Sequence, residues 1–117
     1  MANRTHNTTG LRYVDAHSVW CAEGVLANFR VCTSDAEPLG SVSGVLISPA
    51  SRRLEYLVVE SHGLFVHRNY LVPADAGAAV HEPETLRLSA KKAELNLQSF
   101  QPQSVPGFTE GDLHDAA

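Results

Sequence analysis

From Gly24 to Leu88 short apolar runs alternate with residues that turn a backbone, and this rhythm leaves few architectures open. Val25, Ala27, Phe29 and Val31 alternate with Leu26, Asn28 and Arg30, the period of a strand with one wetter face. Thr33-Ser34-Asp35-Ala36-Glu37-Pro38 has the composition of a turn. Leu39 to Ile47 follows, then Ser48-Pro49-Ala50-Ser51, where Pro49 pre-sets φ for the second place of a turn. Leu54-Glu55-Tyr56-Leu57-Val58-Val59 is β-branched and aromatic, as strands are. Ser61-His62-Gly63 turns the chain into Leu64-Phe65-Val66-His67. Tyr70-Leu71-Val72 stops at Pro73, which cannot donate to a central ladder, and Thr85-Leu86-Arg87-Leu88 is the last run. The pattern predicts an all-β chain, a small barrel of about five to six strands. A short C-terminal helix is expected over Ala90 to Leu97, capped by Ser89, with Ala90, Ala93, Leu97 and Phe100 on one face. Lys91 and Lys92 in its first turn oppose the helix dipole.

Two details of phase carry further consequences. Val42 has the opposite parity to Val45 and Ile47, so a regular strand cannot turn all three to one side. A bulge at Gly44 restores the phase, since glycine accepts a left-handed or crowded backbone. The second detail is the run after Glu55, which is apolar on both faces: Tyr56 and Val58 on one, Leu57 and Val59 on the other. A small barrel fills only its interior, so the outer face needs a cover, from the C-terminal helix, the N-terminal segment or another subunit. Leu57, Val59 and a neighbour such as Phe65 are candidates for an interface with a second copy, because soluble monomers rarely keep large apolar patches.

Composition narrows the function. Thirteen acidic against nine basic residues give a net charge of -4, and no basic cluster exceeds a pair. Direct nucleic-acid binding is disfavoured, because such proteins present a basic face. No apolar stretch approaches the roughly 18 residues of a membrane span, and no export signal precedes the domain, so a cytoplasmic location is expected. Cys21 and Cys32 are too few for a disulfide scaffold. Residues 1–23 form a polar extension whose later part, with Tyr13, Val14, Val19 and Trp20, packs on the domain. Residues 24–100 make the domain. From 101 the chain carries Pro102, Pro106, Gly107 and Gly111 and turns acidic, so residues 101–117 are expected to be a mobile tail, dispensable after Pro106.

Leu39-Gly40-Ser41-Val42-Ser43-Gly44-Val45-Leu46-Ile47-Ser48-Pro49, then Leu54-Glu55-Tyr56-Leu57-Val58-Val59-Glu60, then Tyr70-Leu71-Val72-Pro73 resemble a PRC-barrel domain, the family named for the photosynthetic reaction-centre H subunit. The resemblance runs from about Gly24 to Phe100 and rests on the ordered succession of Gly40, Pro49, Gly63 and Pro73, which with Gly44 are read as structural positions. It departs from the family pattern at Ser48, where Asp is usual, and at Ala74, where an aromatic often follows Val-Pro. The resemblance implies a binding module. The H subunit scaffolds a membrane complex, and a ribosome-maturation factor of the family contacts a ribosomal protein through its barrel. Stand-alone copies look like homodimeric adaptors.

The chemistry-bearing residues add little to this. His62 and His67 bracket one hairpin strand and His17 lies four residues before Cys21, but zinc needs three or four converging ligands and no CxxC or HExxH exists, which leaves His62 and His67 as weak metal candidates. No Gly-x-Ser-x-Gly elbow or phosphate loop occurs, and adjacent Ser61 and His62 point apart. No catalytic residue and no cofactor is therefore expected. The leading expectation is a non-enzymatic scaffold module acting as a homodimer and binding an unknown protein partner. An accessory factor in RNA processing or ribosome assembly, working through a protein, is the alternative, and salt-sensitive RNA association would favour it. A small-ligand or metal sensor is the third reading, for which metal analysis discriminates.

Overall fold

The computed structural model describes residues 10–21, 24–62, 67–76, 79–82, 84–89, 98–101 and 104–107. Its strands are β1 (Arg12–Asp15), β2 (Trp20–Cys21), β3 (Gly24–Val25), β4 (Arg30–Cys32), β5 (Pro38–Ser48), β6 (Arg53–His62), β7 (His67–Pro73), β8 (Ala79–Glu82), β9 (Thr85–Arg87) and β10 (Gln98–Ser99). The expected helix over residues 90–97, and with it Gly63 and Phe65, lies outside the described residues.

Turn chemistry places β5, β6 and β7 side by side as an antiparallel meander. The β5–β6 turn closes with Arg52 N donating to Ser48 O at 2.7 Å, Arg52 taking a left-handed φ of 57°. Before β5, Thr33 is fully buried and organises its turn. Its N donates to Glu37 O, its hydroxyl contacts Asp35 and accepts from Glu37 N, and its carbonyl takes Ala36 N. The full order is β10-β7-β6-β5-β4-β9-β8, with β4 and β9 parallel, and β1 pairs β5 beside β4. This is a barrel-type sheet whose path, among the described residues, ends at β8 and β10. Among the described residues the short strands β1 and β10 extend the expected sheet of about six strands to eight.

The expected single strand from Val25 to Val31 is interrupted. Residues Leu26–Asn28 form one 3-10 turn, closed by Phe29 N to Leu26 O at 3.0 Å. The turn changes the face arithmetic, so that Leu26, Phe29 and Val31 are all buried.

The phase problem in β5 resolves as a bulge at Ser43. Val42 pairs with Val59 and Gly44 with Val58, leaving Ser43 as the extra residue. Val42, Val45 and Ile47 then all pack on the larger core, with Leu57, Val59, Val72, Phe29, Val31 and Leu86. Gly44 is needed for space: a Cβ there would lie 2.5 Å from Tyr13 Cζ.

Both faces of the meander are covered by the chain itself. Leu57 and Val59, expected at an interface, are only 6% and 1% exposed and fill the larger core, which leaves a partner no area on them. The opposite face, with Leu46, Val58, Leu71 and Tyr56, is covered by Leu11 from the N-terminal segment and by Phe100 and Val105 from the C-terminal one. Tyr13 N donates to Pro106 O at 2.8 Å and Phe100 N to Asn69 O at 2.8 Å, which fixes both covers. The stretch Ser104 to Gly107, expected within a mobile tail, is thus anchored by burial of Val105 and bridges Tyr13 at Gly107. Val105→Ala is expected to destabilise by about 2 kcal/mol, the usual effect of truncating a buried aliphatic side chain. A urea midpoint unchanged from the parent would show that this segment covers nothing.

Candidate functional site

With the sheet's faces filled, what remains for recognition lies on its margins. The first feature is the hairpin of β2 and β3, where Trp20 pairs with Val25 and Cys21 with Gly24 as a two-stranded sheet of its own. A single hydrogen bond of 2.8 Å, Leu26 N to Val19 O, leads its base into the core. Tyr13, Val14 and Val19 pack as expected, but Trp20 is 74% exposed, because the hairpin stands off the main sheet. At the hairpin's base the Asp15 carboxylate accepts from His17 N and meets His17 Nδ1, each at 2.9 Å. The backbone bond first, and the ring second, hold Asp15 below the usual carboxylate range. Both side chains are exposed, and their work is to cap the 3-10 turn Ala16–Ser18.

The second feature is a groove of about 550 Å³ where β4, the start of β5, the end of β6 and β9 meet. Arg30, Cys32, Ser41, Ser61 and Thr85 line it, with Val31, Leu39 and Pro38 as its apolar part. A ladder irregularity opens it: Val31 pairs with Gly40 but Cys32 with Pro38, leaving Leu39 as an extra residue. Cys32 is a half-buried free thiol. Register sets the chemistry of this face. Val31 pairs with Leu86 toward the core, so Arg30, Cys32, Thr85 and Arg87 all lie on the other side. Sequence reading missed this cluster because β4 and β9 are distant in the chain. The alternations Arg30-Val31-Cys32 and Thr85-Leu86-Arg87 were its only local signal.

A recess of about 530 Å³ near Arg53, Leu54, Tyr56 and Asp75 is the third feature. Burial, then the carboxylates of Glu55 and Asp75, push the Tyr56 hydroxyl up. Two acids against Arg53 leave the recess with a net negative lining.

The metal candidates His62 and His67 are cross-strand partners at the β6–β7 turn, and their side chains lie outside the described residues. Among the described residues no three His, Cys, Asp or Glu groups converge. Likewise, no described helix is long and apolar enough to cross a membrane.

The family model of the PRC-barrel domain matches residues 26–94, more than half of the chain. This chain belongs to the PRC-barrel domain family. No curated protein matches it. The groove lies within the matched PRC-barrel region, whereas Trp20 and the covering residues Leu11, Phe100 and Val105 lie outside it. The flanking segments therefore finish the barrel's outer face and add the tryptophan hairpin to it.

Proposed function

We propose that this PRC-barrel protein is a non-enzymatic interaction module that binds protein partners, a second copy of itself among them. The observation carrying this reading is Trp20, 74% exposed on a hairpin separate from the main sheet. A large aromatic held in water is a poor use of apolar area unless something covers it, and tryptophan dominates binding energy at protein interfaces. The hairpin takes over the dimer role first assigned to Leu57 and Val59, which are spent on the core. The remainder of the barrel supplies rigidity, since both faces of its central strands are packed.

Capture of proteins from native-host lysate on the full chain, followed by mass spectrometry, tests the proposal against the Trp20→Ala variant. That substitution is expected to weaken capture and self-association by about thirtyfold, the effect of losing an interface anchor of about 2 kcal/mol. Its melting is expected to stay within about 0.5 kcal/mol of the parent, as for surface changes. Equal capture by both chains, with light scattering unchanged, would remove Trp20 as the contact.

A further inference from the structure

We propose that the outer face of β4 and β9, with the adjoining groove, binds carboxylates presented by an extended acidic segment of a partner protein. This rests on the interaction-module reading and names the chemistry of a second contact. Three observations meet here. The parallel register Arg30↔Thr85 and Cys32↔Arg87 puts two guanidinium-bearing residues diagonally on one face. Among the described residues, Arg87 Nε is buried without a hydrogen-bond partner. Such a donor is costly to leave unmade, which marks Arg87 as a side chain whose pairing is incomplete. Finally, among the described residues no carboxylate lines the groove: its polar groups are Arg30, the thiol of Cys32 and the hydroxyls of Ser41, Ser61 and Thr85.

In a chain of net charge -4, a groove lined by a cation and hydroxyls stands out as a place complementary to acids. Guanidinium forks match carboxylate geometry, and such pairs are the stronger class of hydrogen bond. The groove is also too large for a lone carboxylate. Its Leu39 and Pro38 suit apolar side chains set between acidic ones, and so favour a peptide over a free small anion.

The test uses the full chain and a fluorescein-labelled hexapeptide of alternating glutamate and leucine, read by fluorescence anisotropy. Binding is expected, and it should weaken with added salt. Arg30→Gln and Arg87→Gln are each expected to weaken it by about tenfold, as is Arg87→Lys, which keeps the charge but loses the fork. The glutamine–leucine peptide should bind far less. Equal binding of the two peptides, or Arg30→Gln and Arg87→Gln variants that stay folded and bind within about twofold of the parent, overturns the proposal. If Arg87→Gln fails to fold, exposed Arg30 decides alone. Displacement by succinate at concentrations equal to the peptide's would assign the face to free anions and equally overturn it. Trp20→Ala should leave peptide binding unchanged. Lost peptide binding with intact lysate capture therefore sinks this inference and spares the Trp20 reading, and the reverse outcome does the opposite.

Discussion

Gly40→Ala is expected to abolish the cooperative thermal transition, or to lower stability by about 4 kcal/mol or more, the range reserved for severe backbone and packing damage. Two independent conditions exclude a side chain at this position. Its φ is +147°, a region that L residues rarely enter, with strain of about 1–3 kcal/mol. In addition, a Cβ would overlap the Glu60 carbonyl oxygen, 2.8 Å from its carbon and 3.1 Å from Ser61 Cα. These obstacles are backbone atoms, so no rotamer change relieves them. Nor can β6 retreat. Glu60 and Ser61 are paired to Asn69 and Arg68 on their far side, while Glu60 pairs with Ser41 on the near side. Gly24 separates the two effects, since its φ is +130° but, among the described residues beyond its chain neighbours, no atom stands within 4 Å of its Cβ position. Gly24→Ala should therefore lose only about 1–2 kcal/mol, from conformation alone. Calorimetry of both variants decides the matter, and equal losses would mean that the approach of β5 to β6 is not tight.

The contrast between these two glycines shows how far the sequence could be read. Gly40 is read as structural through the family resemblance, whereas the parity of Val42 against Val45 required a bulge within that run, expected at Gly44 and found one residue earlier. Such inferences succeed because strand period and turn chemistry are local. The assignment of faces in β6 failed for the opposite reason. Tyr56, Leu57, Val58 and Val59 are apolar on both sides, so the choice of interior depends on what covers the exterior. Leu11 and Val105 supply that cover from segments whose composition reads as extension and tail, and Phe100 joins them from the end of the domain. Trp20 was misjudged in the same way: its neighbour Val19 packs, and local hydrophobicity cannot say that the hairpin then leaves the sheet. The groove was the least legible part, because it is assembled by a parallel pairing of strands distant in the chain.

Gly44→Val is expected to destabilise by about 3 kcal/mol, a typical upper value for overpacking, through its effect on Tyr13. Gly44 is buried beside the bulge and needs no left-handed backbone; its hydrogen faces the Tyr13 ring, whose Cζ and hydroxyl would sit 2.5 Å from a new Cβ. A larger side chain must expel that ring. Doing so breaks the bond from Tyr13 Oη to Ser43 O at 2.9 Å and loosens the one from Tyr13 N to Pro106 O at 2.8 Å. Both termini are then released from the face they cover, so damage at one atom spreads to Leu11 and Val105. A double-mutant cycle isolates this chain of cause. In a Tyr13→Ala background, Gly44→Ala should lose at least about 1 kcal/mol less than in the parent, because the obstructing ring is gone. Strict additivity would transfer the cause from the ring to the backbone. The same ring makes an alkaline prediction. Burial first, then the charge of Asp15, raises the Tyr13 pKa above 10.0, outweighing the hydrogen bond to Ser43. The folded chain thus holds this proton longer than the unfolded chain. The associated stability is complete below pH 10 and is lost as pH climbs past the unfolded value toward the folded one. Tyr13→Phe removes that proton and should flatten the alkaline fall in urea midpoint. An identical slope in the two chains would mean that the Tyr13 hydroxyl is as exposed folded as unfolded, and the clasp over Gly44 would fall with it.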